Sequence, residues 1–312
     1  MAAPGQWSGP THRHQPTACR IAAGRPPIST RTVASLEDPS RQRRAPIAHD
    51  WPVRGFFDRL RRASRARRSL LCVNLDPDPE RIAGGAGEAL RHCARVIERT
   101  ADHVCCYKPN SAFWEQYGAD GWKALTELRV FVPDDVPILL DAKRGDIGST
   151  MRAYARAVFD VVGSDAVTVN PYFGIDALEV LTAYTGRGVY VVCRSSNAGA
   201  RDLQHLDAGG RPFYLQVARM ADGLNRARNV GLVVGATAPE EVANVRAESA
   251  LPFLVPGVGA QGGVLERAVR AAWNGDEASC LIAVGRSVLY ADDPAREAAD
   301  LRAAINSVLA TV

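Results

Sequence analysis

The segment Pro-Ile-Leu-Leu-Asp-Ala-Lys-Arg-Gly-Asp, residues 137–146, joins a short apolar run to a group of charged residues. A continuous apolar run without alternation is typical of a parallel strand that is buried on both faces. Asp141, Lys143 and Asp146 follow this run directly. The segment therefore predicts a buried strand with chemically active side chains at its carboxyl end.

Seven further apolar runs occur in the chain, and most of the segments between them are long enough for a helix. The eight runs are 70–75, 104–107, 138–140, 166–169, 189–193, 230–234, 253–255 and 281–284. Strands that alternate with helices predict a parallel sheet. Eight such units over about 240 residues have the size of an α/β fold of the (β/α)8 TIM barrel type. A doubly wound open sheet is the alternative, but no GxGxxG follows the first run, which weakens a dinucleotide-binding interpretation.

Polar residues follow most of the runs, at the end where a barrel carries its active site. They are Asp76, Lys108, Asp141, Lys143, Asn170 and the segments 194–197, 256–261 and 285–287. Asp141 and Lys143 are two residues apart, so on a strand both would face the same side. The barrel hypothesis therefore predicts one polar mouth.

Lysine is rare in this chain, which has three lysines among 38 basic residues. Arginine keeps its proton at any accessible pH, whereas lysine can release one. Lys143 lies between Asp141 and Asp146, and Lys108 would point into the same mouth. A salt-bridge cluster that closes the barrel is one interpretation, and a proton donor is the other. Two ammonium groups and two carboxylates are costly to hold without a function, which favours the proton donor.

The loops after the seventh and eighth runs contain the glycines and the arginine of a phosphate site. The residues are Gly257, Gly259, Gly262, Gly263, Gly285 and Arg286. Glycines let backbone N–H groups approach an anion, and an arginine offers two parallel donors. Ordinary turn glycines and a surface arginine are the alternative, but the two loops together favour phosphate.

The net charge of +4 divides unevenly: residues 1–68 carry fourteen arginines and four acids, and the remainder is mildly acidic. The composition of residues 1–53 predicts a disordered Arg-rich extension. It would be either a functional segment, such as a transit peptide or a nucleic-acid-binding tail, or a dispensable one. Residues 54–312 would form the barrel domain, beginning with an amphipathic helix over 54–68.

Seven cysteines without CxxC spacing favour a reduced cytoplasmic protein. No run reaches the ~18 apolar residues of a membrane span.

The segment Asp141–Thr150, DAKRGDIGST, resembles the DxKxxDIxxT motif of the orotidine 5′-phosphate decarboxylase family. Leu71–Glu80 (LCVNLDPDPE) and Tyr107–Glu115 (YKPNSAFWE) are similar to its second bacterial subgroup, and the resemblance covers about residues 54–310. It implies a carboxy-lyase without cofactor or metal that forms uridine 5′-phosphate in pyrimidine biosynthesis. Two departures stand out, since Asn74 replaces a usual Gly and Ala198 a usual Pro.

The resemblance also implies roles for individual residues. Lys143 would protonate C6 of the pyrimidine as CO2 leaves, within a charged tetrad. The tetrad would be Lys108, Asp141, Lys143 and Asp146; Asp76 and Lys108 would hold the ribose, Ser196 the pyrimidine, and Gln261 and Arg286 the 5′-phosphate. Asp146, Ile147 and Thr150 would reach the active site of the partner subunit, which implies a homodimer.

Two other functions compete with this one. A magnesium-dependent sugar-phosphate decarboxylase or aldolase on the same barrel shares the Asp-x-Lys-x-x-Asp spacing, but Ile147 and Thr150 argue against it, as does the lack of an evident further acidic ligand. A non-catalytic phosphoribosyl- or RNA-binding protein would use the Arg-rich extension, but an intact tetrad fits lost catalysis poorly. We expect a nucleotide substrate and neither a nucleic-acid nor a membrane partner.

Overall fold

The computed structural model describes residues 55–258 and 262–312, with the backbone alone at Gly262 and Gly263. The predicted extension over residues 1–53 and its proposed roles lie outside the described residues. So do Arg54, Gly259 and Gln261.

Eight parallel strands form one sheet in the described part of the chain. They are β1 (Leu71–Asn74), β2 (Cys106–Lys108), β3 (Leu139–Arg144), β4 (Ala166–Val169), β5 (Gly188–Arg194), β6 (Val230–Val234), β7 (Phe253–Val255) and β8 (Cys280–Val284). Each coincides with one of the eight apolar runs. The largest difference is at β3, which continues through Arg144, so that Asp141 and Lys143 lie within the strand instead of after it.

The sheet closes into a barrel. Its strand order is β2-β1-β8-β7-β6-β5-β4-β3. Parallel bridges from Tyr107 to Ile138 and from Asn110 to Asp141 join the two outer strands of that order. The Asp141 N–H also donates to the Pro109 carbonyl at 2.9 Å. The predicted (β/α)8 barrel is therefore confirmed, and the open-sheet alternative is wrong, because its outer strands would not meet.

Among the described residues, one helix precedes β1, and the others follow the strands of the barrel. The helices are α1 (Phe56–Arg67), α2 (Gly85–Thr100), α3 (Ser111–Glu115), α4 (Gly118–Glu127), α5 (Gly148–Arg156), α6 (Ile175–Thr182), α7 (Ala200–Gln204), α8 (Phe213–Leu224), α9 (Pro239–Glu248), α10 (Gly262–Ala272), α11 (Arg286–Leu289) and α12 (Pro294–Leu309). Their apolar faces and the outward side chains of the strands share one large core. Successive strand side chains point to opposite faces, so the other half fills the barrel interior.

The interior core is closed at the amino-terminal end of the barrel by α1. Phe56, Phe57 and Leu60 are buried there, as the amphipathic pattern predicts, with Tyr190 of β5 among them. The Phe57 and Tyr190 rings meet edge to face with centroids 5.6 Å apart. Gly188 is required at this point, because a Cβ there would lie 2.5 Å from Phe56. This floor leaves the opposite end of the barrel for chemistry.

The cysteines of the described segments are buried and free, whereas Cys19 lies outside them. Burial raises the pKa of Cys280 to about 12, which keeps its thiol protonated and unreactive. No helix among residues 55–258 and 262–312 has the length and apolar content that crossing a membrane requires.

Candidate active site

A buried carboxylate holds two ammonium groups at the carboxyl-end mouth of the barrel. Lys108 Nζ donates to Asp141 Oδ2 at 2.9 Å, and Lys143 Nζ donates to Asp141 Oδ1 at 2.6 Å. Thr168 Oγ1 also donates to Asp141 Oδ1 at 2.8 Å. These residues come from the adjacent strands β2, β3 and β4, whose carboxyl ends meet at one rim. We call Lys108, Asp141 and Lys143 the ion-pair row.

Electrostatics keeps Asp141 and Lys108 charged. Burial acts to raise the pKa of Asp141, but the charges of Lys108 and Lys143 outweigh it and hold that pKa well below its usual range. Burial acts to lower the pKa of Lys108, but Asp141 and then Asp76 outweigh it and raise that pKa above its usual value. Asp141 is therefore a carboxylate and Lys108 an ammonium at neutral pH.

Lys143 sits on a β-bulge. Its φ of 44° is left-handed, which costs a non-glycine residue roughly 1–2 kcal/mol. The register of β3 against β4 shifts between Leu140 and Arg144, and the Lys143 N–H donates to Thr168 Oγ1 at 3.0 Å. Bulges near active sites re-aim a side chain. Here Lys143 reaches Asp141 while 49% of its side chain stays exposed to the mouth.

Asp76 lies next to the row, in the loop after β1. Its Oδ1 accepts a hydrogen bond from the Asn110 N–H at 3.0 Å. Burial raises the pKa of Asp76 above its usual value, and the charge of Lys108 opposes that rise. A carboxylate in this position is short of donors, which suits it to accept hydrogen bonds from ligand hydroxyl groups.

A cavity of about 560 Å³ opens beside Asp76, and Gly257, Gly285 and Arg286 contribute to its wall. A volume of this size is ordinary for a small-molecule site. Gly257 has a φ of 87°, which glycine adopts without strain. The structure thus brings Asp76 and the phosphate-loop residues Gly257, Gly285 and Arg286 to one cavity. The side chain of Arg286 is exposed and open to a ligand.

Ser196 is exposed at the same end of the barrel, beyond β5. A Cβ on Gly257 would lie 3.3 Å from the Cβ of Ser196, so the serine stands against the cavity wall. Thr237 Oγ1 donates to the Ser196 carbonyl at 3.1 Å. Beneath this loop, Arg194 pairs with the buried carboxylate of Glu241. The β5 loop is therefore anchored on both sides.

Asp146, Ile147 and Thr150 form no hydrogen bond or ion pair with the ion-pair row in the described residues of their own chain. The Asp146 carboxylate accepts a hydrogen bond from the Ile147 N–H at 2.7 Å. Ile147 is 64% exposed, and two aromatic residues of the loop after β4 and the first residue of α6 are exposed as well. We call these four residues, Ile147, Tyr172, Phe173 and Ile175, the apolar rim. A Cβ on Gly145 would lie 3.2 Å from Phe173, so the two loops touch.

The sequence did not predict the roles of two residues that position the site. Thr168 forms hydrogen bonds with both the Asp141 carboxylate and the backbone N–H of Lys143. The sequence feature that could have indicated this role is a single hydroxyl residue within the apolar run 166–169. The Tyr290 hydroxyl donates to the Asp76 carbonyl at 3.1 Å and accepts from the Asp78 N–H at 2.8 Å. Tyr290 thus ties the segment after β8 to the loop after β1, and nothing local in the sequence marked it.

In the part of the chain that the structure describes, no group of three or more His, Cys, Asp or Glu side chains is arranged to hold a metal ion. The magnesium-dependent alternative therefore gains no ligand set from these residues.

Comparison with known proteins gives a consistent result. The orotidine 5′-phosphate decarboxylase / HUMPS family matches residues 69–301. An orotidine 5′-phosphate decarboxylase of Thermomicrobium roseum is 50% identical over 266 residues, which cover 82% of this chain and 94% of that protein. The solved structure of Leishmania donovani OMP decarboxylase is 43% identical, with a TM-score of 0.76, and covers 82% of this chain and 98% of that one. A putative orotidine-monophosphate decarboxylase from Toxoplasma gondii, 40% identical, has a TM-score of 0.80 over 83% of this chain and 99% of that one.

Proposed function

This chain belongs to the orotidine 5′-phosphate decarboxylase / HUMPS family, and we propose on that premise that it converts orotidine 5′-phosphate to uridine 5′-phosphate and CO2 in pyrimidine biosynthesis. The observation that carries the proposal is Asp141 held between Lys108 and Lys143, beside a cavity with Gly285 and Arg286 in its wall. This arrangement offers an anion site at one end and an exposed ammonium at the other.

The proposed substrate orientation follows from these groups. The 5′-phosphate would meet Arg286 and the backbone at Gly285, with Gln261 bridging to it. The ribose hydroxyls would meet Asp76 and Lys108, and the pyrimidine would lie towards Ser196 and Lys143. Arginine is suited to phosphate because its planar guanidinium donates two parallel hydrogen bonds.

The proposed reaction needs one proton and no cofactor. The bond between C6 and the carboxylate breaks, CO2 leaves, and the electron pair of that bond stays on C6. The ammonium of Lys143 stabilises this developing carbanion and then transfers a proton from Nζ to C6. The neutral amine regains a proton from solvent, which its exposed position allows. Lys108 and Thr168 hold Asp141 in place during this transfer.

Asp141 would also act on the substrate. Near the substrate carboxylate, at ~4 Å and an effective dielectric constant of about 20, its repulsion amounts to roughly 4 kcal/mol. Relief of this repulsion as CO2 leaves would be worth about three decades in rate. Binding of the distant phosphate would hold the substrate in place against it.

We also propose that the enzyme is a cytoplasmic homodimer in which Asp146, Ile147 and Thr150 reach the site of the partner subunit. Two features support this. The apolar rim exposes four large side chains around these residues, and Asp146 is not part of the ion-pair row of its own chain. Buried free cysteines favour a reducing compartment.

An assay with orotidine 5′-phosphate, with and without EDTA, tests the function. Wild-type protein should release CO2 at the same rate in both conditions, and Lys143→Ala should abolish turnover without unfolding the protein. Lys123→Ala is the matched control, since Lys123 is a surface residue with a 75% exposed side chain. No turnover by wild type would refute the function. Full turnover by Lys143→Ala would refute the proton donor, and a strict requirement for Mg²⁺ would restore the metal-dependent alternative.

Mixing two inactive variants tests the shared site. Lys143→Ala and Asp146→Ala should each be inactive alone. If Lys143 and Asp146 of one site belong to different subunits, every mixed dimer has one intact site. Random exchange of subunits in a two-fold dimer should then restore about a quarter of wild-type activity. No recovery, with exchange shown by a mass-labelled subunit, would place both residues in one chain.

A further inference from the structure

Asn74 occupies a distinctive place in the cavity. It ends β1 two residues before Asp76, and its Cα is paired with that of Lys108 on β2. It lines the same cavity as Gly285 and Arg286. Asn74 therefore lies between the group proposed to hold the ribose and the groups proposed to hold the 5′-phosphate.

The side-chain amide of Asn74 lacks hydrogen bonds within the described protein. Its Oδ1 is buried and has no partner among residues 55–258 and 264–312. A buried amide oxygen without a partner costs about 1–3 kcal/mol, and native proteins seldom keep one without a reason.

The other end of the amide faces the phosphate loop. A Cβ on Gly285 would lie 3.2 Å from Asn74 Nδ2, so the amide fills the space beside this glycine. Ser287, the next residue but one, lines the same cavity, and its hydroxyl is likewise buried without a described partner. Two polar side chains with an unpaired atom thus line one wall of the cavity.

We propose that Asn74 is a further nucleotide-binding residue, which donates from Nδ2 to the 5′-phosphate. The buried Oδ1 has no surface that a ligand could reach, so the contact falls to Nδ2. The NH2 group of an amide is suited to this position because it offers two hydrogen-bond donors. The proposal rests on the proposed function, and it explains why an asparagine is kept where it costs stability in the free enzyme. A glycine at position 74 would offer the phosphate no side-chain donor.

Asn74→Ala tests the proposal by measuring nucleotide affinity and stability, because affinity should fall while stability should not. The dissociation constant for uridine 5′-phosphate, measured by calorimetry, should rise about tenfold, which corresponds to ~1.4 kcal/mol. The KM for orotidine 5′-phosphate should rise similarly with little change in kcat, as expected for loss of uniform binding. The melting temperature without nucleotide should stay constant or rise, because an unpaired polar group has been removed.

Two further variants make the result specific. Asn74→Asp keeps the volume but cannot donate and repels the phosphate, so it should bind uridine 5′-phosphate more weakly than Asn74→Ala. Asn306→Ala is the control, since Asn306 Nδ2 donates to the Arg68 carbonyl, ahead of β1 at the other end of the barrel. This variant should bind the nucleotide like wild type.

The outcomes separate the inference from the function on which it rests. If wild type turns over orotidine 5′-phosphate and Asn74→Ala binds uridine 5′-phosphate within twofold of wild type, the role of Asn74 is refuted and the function stands. A fall in melting temperature with unchanged binding would show a structural role instead. If wild type neither turns over the substrate nor binds the product, both proposals fail.

Discussion

The mouth and the floor of the barrel each centre on one buried aspartate, one within β3 and the other directly before β4. Asp141 of β3 accepts hydrogen bonds from Lys108 and Lys143 at the mouth. Asp165, directly before β4, lies on the floor, with a side chain that is 5% exposed. Three arginines surround Asp165: Arg59 at 2.6 Å, Arg129 at 3.2 Å and Arg187 at 3.3 Å.

Asp141 is paired with lysines and Asp165 with arginines, and the two cations suit different tasks. The arginines around Asp165 come from α1, from the turn before β3 and from the residue before β5, so one carboxylate joins three distant segments. Arginine cannot release its proton, which suits a permanent joint. Lysine can release one, and two of the three lysines in the chain lie at the mouth. Of these two aspartate-centred clusters, the structural one thus uses arginine and the one at the candidate site uses lysine.

Exchanging the cation type at the mouth is the strongest test of this contrast. Lys143→Arg keeps the positive charge but removes a transferable proton, so kcat/KM for orotidine 5′-phosphate should fall by roughly 10³-fold or more. The melting temperature should change little. Arg129→Lys on the floor is the counterpart and should keep wild-type kcat. Retention of a tenth of the activity by Lys143→Arg would show that charge, and not proton transfer, is the main contribution of this residue.

Removing the floor aspartate should have the opposite profile. Asp165→Ala leaves three arginines without their shared carboxylate and the Ile138 N–H without its 2.8 Å acceptor. Breaking a buried ion pair in this way costs about 3 kcal/mol or more in the free energy of unfolding, measured with urea. The kcat of the folded protein should stay within threefold of wild type. A large loss of kcat in fully folded Asp165→Ala would mean that floor and mouth are coupled.

The pH dependence of stability should reveal the contribution of Asp141 at the mouth. The folded pKa of Asp141 lies below its unfolded value, so its stabilising effect is present above about pH 4 and is lost as the pH falls towards the folded pKa. The unfolding free energies of wild type and Asp141→Asn should therefore differ by roughly 2 kcal/mol at pH 7. The difference should shrink below about pH 4, and a constant difference from pH 7 to pH 3 would contradict the assignment.

Much of this contrast was predictable from local sequence, and part of it was not. Each of the eight runs became a strand because continuous apolar residues suit strands that are buried on both faces. The charges of residues 141–146 predicted the mouth. The left-handed backbone of Lys143 was not predictable, because it depends on Thr168 from the next strand. The arginine cluster around Asp165 on the floor was not predicted either, since Arg59 and Asp165 are 106 positions apart and meet only in the closed barrel.

We expect the smallest effect on stability from Asp76→Asn. Asp76 lies at the mouth of the barrel with the proposed active site, and not on the floor. Burial raises its pKa in the folded protein, so ionised Asp76 lowers stability at neutral pH. Asp76→Asn still accepts from the Asn110 N–H and should be as stable as wild type or more so at pH 7. Any gain should vanish below about pH 4, where the carboxyl group is protonated in both states.

The same variant should lose kcat/KM for orotidine 5′-phosphate by about 10- to 100-fold, because a hydrogen bond to a charged group is worth roughly 1.5–3 kcal/mol. Asp165→Asn is the matched substitution on the floor and should lose stability with little loss of kcat. Urea unfolding and steady-state kinetics on both variants decide the matter. If Asp76→Asn were the less stable of the two, the mouth aspartate would be part of the scaffold, and the division between the two ends of the barrel would fail.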